Sequence, residues 1–399
     1  MPRLLHTADW QIGRTYQRFT SEDAAFLAEA RLEAVERIAR LATARTVDAV
    51  LVAGDVFDAQ TVSDRTVRRL FNALAGFAGP WLMIPGNHDA ALGAGVWARA
   101  RQLGCIPQNV RPLEEPGSTL LEEIGCVVLA APLTQRRTHS DLTCWFDEEP
   151  SAPGLLRIGL AHGSVGGILP DSVDASNPIA SDRATTARLD YLALGDWHGA
   201  RRIDARTWYS GTPEQDRFKD NGAGNVLQVD LAPGGGEPVV EVIPVGAYRW
   251  HELERRIDVA ADVEDLEQRI RLLAARDVVA LRLVGQVDLA QQRRIRHLLG
   301  VAQGRLRALE TDLSRLRLRP SDADIAALAA DGYVGEVLAE LREAASRGTG
   351  GLDAGSEAGS EPGGGARSEP AGDWADDEAG RVAAEALNIL ASMLLERQA

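Results

Sequence analysis

The sequence predicts an α/β fold: two packed mixed sheets flanked by helices, then a small α/β module and a helical C-terminal tail. Three observations carry this. Apolar runs of strand length alternate with amphipathic stretches from Arg3 to Ile84; strands then follow one another with few helices between; and a strand-helix-strand-helix-strand order begins near Arg249. At 399 residues and 45% apolar content the chain can build two or three domains around a sizeable core.

Arg3 to Ala8 reads as a strand ending at Asp9-Trp10-Gln11. Ser21-Glu22-Asp23 can cap a helix in which Phe26, Leu27, Ala30, Val35, Ile38 and Leu41 recur at helical spacing. Asp48 to Ala53 is a second buried strand and ends at Gly54-Asp55-Val56-Phe57-Asp58. After a helix near Ser63 to Phe77, the run Trp81-Leu82-Met83-Ile84 is a buried parallel strand. Its Pro85-Gly86 turn delivers Asn87, His88 and Asp89 into one loop. Open α/β sheets place their chemistry at such strand ends.

A short helix over Val96 to Leu103 precedes strands at Ser118 to Leu121, Cys126 to Ala131 and Arg157 to Ala161, the last ending at His162-Gly163. Tyr191 to Leu194 ends at Gly195-Asp196-Trp197-His198, and Thr207 to Ser210 with Asn225 to Leu231 is expected to close a second sheet. Residues 1–245 thus form one domain and residues 246–320 a small α/β module. Within the module, Val263 to Ala275 and Leu289 to Leu299 read as helices, and Val278 to Val287 and Arg305 to Leu313 as strands. Residues 321–347 read as helical, chiefly from Asp322 to Ala345. Residues 348–375, rich in Gly, Ser, Glu and Pro, read as a disordered linker. Residues 376–399 carry a final helix with Val382, Ala386, Ile389, Leu390 and Met393 on one side, suited to a partner surface.

The net charge of −15 excludes a generally basic coat, but it is unevenly spread. Arg249 to Arg319 holds 15 Arg against 11 acids, a net of +4, whereas Ser321 to Ala399 holds 5 Arg against 16 acids, a net of −11. Cys105, Cys126 and Cys144 lack metal or disulfide spacing and read as inert thiols. No run of about 18 apolar residues and no signal-peptide pattern occurs, so no membrane is implied and a cytoplasmic location is the default.

Five strand ends therefore offer Asp9 and Gln11; Asp55 and Asp58; Asn87, His88 and Asp89; His162; and Asp196 and His198. Oxygen and imidazole donors from parallel strand ends suit a two-cation phosphoryl-transfer site. One carboxylate must bridge ions about 3.5–4 Å apart, and Asp55 is the best placed. In order and spacing these blocks resemble the calcineurin-like metallophosphoesterases, a four-layer sandwich family. The Gly54-Asp55-Val56-Phe57-Asp58, Gly86-Asn87-His88-Asp89 and His162-Gly163 blocks stand intact. The opening His6-Thr7-Ala8-Asp9-Trp10 and the segment Tyr209-Ser210-Gly211-Thr212-Pro213-Glu214 look like the DNA-repair exonuclease branch, the SbcD-like nuclease subunits.

The resemblance implies two Mn²⁺ ions per chain, with Mg²⁺ as the substitute, and hydrolysis of DNA phosphodiesters. It also implies a module that caps the site, docking to an SMC-like (SbcC-type) ATPase, and a homodimer formed through helices near residues 63–77 and 96–103. Carried over by position, one metal takes Asp9, Gln11, Asp55 and His198, and the other Asp55, Asn87, His162 and Asp196. His88 faces the scissile phosphate, Asp89 orients its ring, and Asp58 fixes a ligand histidine from behind. Arg14, Arg201 and Arg202 are candidate DNA-backbone contacts, with a solvated charged loop as the bland alternative. Trp10 and Trp197 read as walls of the site, and His6 as a strand residue beside it. Gln11 and Asp196 depart from the family, which places His at both; the exchange makes the site richer in oxygen, favouring Mn²⁺ or Mg²⁺ over Zn²⁺. The competing functions are a small-molecule phosphodiesterase or phosphatase of the same superfamily, and a scaffold with a degraded metal site that regulates an ATPase.

Overall fold

In the computed structural model, which describes residues 1–166, 176–232, 234–327, 332–349 and 373–398, the run Ala49–Ala53 is a strand buried at every residue. Val50 and Val52 join one core, and Leu51 and Ala53 another, because successive side chains leave opposite faces of a strand. It pairs in parallel with Arg3–Thr7 and with Trp81–Ile84. The resulting six-stranded sheet is ordered Val239–Pro244, Asn225–Asp230, Arg3–Thr7, Ala49–Ala53, Trp81–Ile84, Val110–Pro112. The second is ordered Arg201–Arg202, Thr207–Tyr209, Tyr191–Gly195, Leu156–His162, Cys126–Ala131, Gly117–Leu121. Both sheets mix parallel and antiparallel pairs, as expected.

Helices Ser21–Ala44, Asp64–Ala73 and Val96–Gln102 cover the first sheet, setting Val35, Ile38, Phe71 and Trp97 against Val50, Val52 and Met83. Between the sheets, Leu4, Leu51 and Ile84 meet Val128, Ile158 and Tyr191. On the far face of the second sheet, Leu129, Leu192 and Tyr209 lie under Phe146 and Leu189. Each such side chain, fully buried, contributes about 1.5–3 kcal/mol, so the strands are held rigidly and their ends become fixed anchor points.

Several local expectations are corrected. Thr20, not Ser21, caps the first long helix, its hydroxyl accepting from Asp23 N at 3.2 Å. Phe26 is 43% exposed, because the buried stripe runs through Leu27, Ala30, Val35 and Ile38. Asn225–Asp230 does not close the second sheet. It returns to the first, antiparallel to Arg3–Thr7, where Leu227 and Val229 enter the inter-sheet core and Val226 the helix-side core. An apolar alternation specifies two faces but not which open edge it joins.

Contacts divide the chain into one unit of Met1–Glu252 with Ala275–Val279 and a second of Leu253–Ala274 with Ala280–Ala399. The strand-helix-strand-helix-strand order is present as Arg249–Ile257, Ala260–Leu272, Asp277–Val287, Leu289–Arg305 and Ala308–Leu318. The last strand starts at Ala308 rather than Arg305, because Arg305 ends the helix and donates to Leu273 O at 2.7 Å. Beyond it, Asp322–Ala327 and Tyr333–Thr349 are separate helices, and the linker expected over 348–375 lies, apart from its helical ends, outside the described residues.

The final helix, Asp373–Gln398, buries Ala383, Leu387 and Ala391, a stripe beside the expected one; Leu387 and Ala391 pack with Ile325 and Leu338 of the preceding helices, and of the expected face Leu390 packs against them half-buried. Val382, Ile389 and Met393 stay exposed, because packing within the chain uses the neighbouring stripe. No described helix is long and apolar enough to cross a membrane. Cys126 is buried, Cys105 half-buried and Cys144 exposed, all as free thiols.

Candidate active site

The strand ends that converge between the sheets turn sharply. Asp9, Gln11, Asp55 and Asp196 adopt φ of 54°, 44°, 54° and 104°, four of the seven left-handed non-glycine residues among those described, so backbone strain is concentrated here. Inter-strand hydrogen bonds hold the turns: Asp9 N donates to Gly54 O at 3.0 Å, and Gln11 N to Asp55 O at 2.8 Å. Gly86 is required because a Cβ there would strike the Asp55 carboxylate. Gly54, at φ 89°, leaves room for the His162 ring, which a Cβ would displace.

Ligand atoms of Asp9, Asp55 and His162 lie within 4.8 Å of one another, and all three residues are buried. His162 Nδ1 donates to Ala53 O at 2.8 Å, which fixes the tautomer and leaves Nε2 with its lone pair outward. That atom stands 3.6 Å from Asp55 Oδ1 and 3.7 Å from Asp196 Oδ1. His162 Nε2 and Asn87 Oδ1 are buried without a hydrogen-bond partner, although such atoms normally find one. Burial, then the charges of Asp55 and Asp196, push the Asp9 carboxyl well above the usual range; burial also raises Asp55 and lowers His162. Crowded carboxylates beside a neutral imidazole and an orphan amide oxygen make a donor set that fits a divalent metal ion.

Residues 2–200 match the calcineurin-like phosphoesterase family. The SbcD component of the SbcCD nuclease from Rhodobacter capsulatus is 45% identical over 287 residues, covering 59% of this chain and 68% of that one. This chain belongs to the calcineurin-like phosphoesterases. The DNA double-strand break repair protein Mre11 from Aeropyrum pernix is 29% identical over 272 residues, 64% of this chain and 63% of its own. The SbcD component of the SbcCD nuclease from Bacillus subtilis is 26% identical over 272 residues, 58% of this chain and 67% of its own. The phosphoesterase assignment identifies the fold and makes the chain a metal-dependent hydrolase of phosphate esters.

Within this phosphoesterase site His88 lies at the open side, its side chain 30% exposed and its Nε2 4.0 Å from Asp55 Oδ2. Asp89 does not orient the His88 ring. Its carboxylate accepts from Gly86 N at 2.7 Å, Val56 N at 3.0 Å and Phe57 N at 3.1 Å, tying two loops together, and burial pushes it up to about 7. The ring is set instead by the Asp58 carbonyl, which accepts from Nδ1 at 2.7 Å. Asp58 therefore acts through its backbone, on a residue outside the expected ligand sets.

The carboxylate behind a ligand-set histidine is Asp216, whose Oδ2 is 3.0 Å from His198 Nδ1. Although burial opposes it, His198, Arg31 and Arg217 hold Asp216 well below the usual range. Sequence reasoning missed Asp216, which lies just past the quoted segment ending at Glu214. It also missed Arg31, a buried guanidinium that donates to the carbonyls of Asp9 at 2.9 Å and Trp10 at 2.7 Å from within a helix. No motif signals Arg31.

Gln11 and His198 come together, Nε2 to Nε2 at 3.3 Å, and Asn87 Nδ2 approaches Asp196 Oδ1 at 3.5 Å. Arg14 is turned inward to Gln11 Oε1. Arg201 lies over the Trp197 ring at 5.6 Å, and Arg202 pairs with Glu237 at 2.9 Å. Trp10 points away from the site into the helix-side core, its indole donating to Thr7 Oγ1 at 2.8 Å. His6 is buried between Tyr191 OH and Leu194 O, outside the ligand cluster.

Proposed function

We propose that this phosphoesterase hydrolyses DNA phosphodiester bonds, with Mn²⁺ as its metal and Mg²⁺ as the substitute, as the nuclease component of an SbcCD-like double-strand-break repair assembly in the cytoplasm. The observation that carries this reading is the convergence of Asp9, Asp55, Asn87, His162 and Asp196 beside an outward-facing His88. When bound, the metal polarises a phosphoryl oxygen and acidifies water. Asp55, Asn87, His162 and Asp196 would hold it, and the Nδ1 bond to Ala53 O leaves the Nε2 lone pair of His162 available.

His88 Nε2 stands 4.0 Å from Asp55 Oδ2 on a side chain 30% exposed, while the Asp58 carbonyl fixes the ring by Nδ1. As an imidazolium, with Nδ1 on the Asp58 carbonyl, it is positioned to donate a proton from Nε2 to the leaving oxygen. Nuclease activity is favoured over small-molecule hydrolysis by the names of the relatives, two nuclease components and a double-strand break repair protein. A homodimer, and docking of an SMC-like ATPase on the C-terminal helices, belong to the same proposal. The exposed Val382, Ile389 and Met393 supply an apolar stripe there.

The experiment is Mn²⁺-dependent cleavage of a linear duplex, with turnover of a cyclic nucleotide alongside. His88→Ala is expected to lower DNA cleavage by about 10²–10⁴-fold while retaining bound Mn²⁺. Full activity in that variant would sink the role of His88, and preferential turnover of the cyclic nucleotide would favour the small-molecule enzyme.

A further inference from the structure

The two ends of the donor cluster are built differently. At the Asp55, Asn87, His162 and Asp196 end, two buried acceptor atoms have no hydrogen-bond partner. At the other end stands Gln11, 1% exposed. Arg14 Nη1 donates to its Oε1 at 2.5 Å. A guanidinium has no acceptor atom, so the amide oxygen must face Arg14 and the NH₂ the opposite side.

There the NH₂ lies 3.3 Å from His198 Nε2. His198 Nδ1 lies between Asp216 Oδ2 at 3.0 Å and Arg217 Nη2 at 2.7 Å, so the ring is already held at this end. The amide oxygen, the atom by which Gln11 would bind a cation, is engaged by Arg14. Arg14 adds a fixed positive charge beside it, 3.3 Å from Asp216 and 3.6 Å from Asp58. A second divalent ion would have to displace Arg14 from the amide oxygen and face the guanidinium, a like charge in a poorly solvated site.

Resting on the metal-dependent reading above, we propose that this chain holds a single divalent ion, at the Asp55–Asn87–His162–Asp196 end. The Gln11 amide, backed by Arg14, closes the position that a second ion would occupy. Gln11 is thus a positioning residue: held by Arg14, it stands against His198 in place of an ion. The two-ion expectation is replaced by one ion and a fixed amide dipole.

The test is metal content of the full chain after loading with excess Mn²⁺ and removing the unbound ion. It compares wild type with Gln11→His and adds electron paramagnetic resonance to detect spin coupling between manganese ions. Wild type is expected to retain one ion with an uncoupled signal, and Gln11→His two ions with a coupled one. Two ions in wild type overturn the proposal whether or not the variant folds. One ion in both proteins overturns the assignment of Gln11 as the closing group. No ion in wild type would instead sink the metal-dependent reading itself, and is distinguishable from either.

Discussion

The two ends of the active site draw on the same chemistry of carboxylate, amide and imidazole, yet only one leaves donor atoms unused. His162 has its Nδ1 tied to the Ala53 carbonyl and its Nε2 unpartnered, whereas His198 has Asp216 and Arg217 at Nδ1 and Gln11 beside Nε2. Residue type alone therefore does not make a ligand. An atom becomes one only when its neighbours leave its lone pair unspent, and the cost of that orphaned, buried atom in the metal-free protein is what a cation relieves.

The largest separation between the two ends is expected from His162→Ala. Removing this imidazole should weaken Mn²⁺ binding by at least about 100-fold, with DNA cleavage falling in parallel. Calorimetric titration with Mn²⁺ checks it; unaltered affinity would break the comparison. Asp216→Ala should instead cost about 3 kcal/mol of stability because it leaves His198 and neighbouring arginines facing a vacated buried site. Denaturant unfolding of the metal-free protein measures this, and a loss below about 1 kcal/mol would show that this end is not held by its charges.

A smaller effect sharpens the boundary of the site. His6, buried and hydrogen-bonded outside the ligand cluster, is lowered to about 3 by burial. Its unfolded form binds a proton below about pH 6.5 and its folded form does not, so wild-type stability is lost as pH falls from about 6.5 toward 3. His6→Gln lacks this titration, and its acid-side decline should be shallower over that window when both are followed by denaturant midpoint. Parallel declines would show that His6 does not stay neutral in the fold.

Much of this arrangement was legible along the chain. Buried apolar runs ending in Gly54-Asp55, Gly86-Asn87-His88-Asp89 and His162-Gly163 announce parallel strands and their chemistry together, because strand ends and glycine turns are local features. What was not legible depends on partners distant in sequence. Asp89 looks like a catalytic partner of His88 by adjacency, but its three backbone donors come from Gly86, Val56 and Phe57. Arg31 and Asp216 carry no motif, and their roles arise only when a helix and a late loop close on Asp9 and His198. Asn225–Asp230 has the pattern of a strand for either sheet; only the open edge of Arg3–Thr7 decides.

The sequence by itself determined the element order, the family and the chemical types at the site, since periodicity, turn residues and donor identity are properties of the chain. The tertiary structure decided which donors remain available. Hydrogen bonding is settled by neighbours in space, and Gln11 shows the difference: in the sequence it is a substituted ligand, whereas in the fold its amide oxygen is engaged by Arg14 and its nitrogen lies against His198.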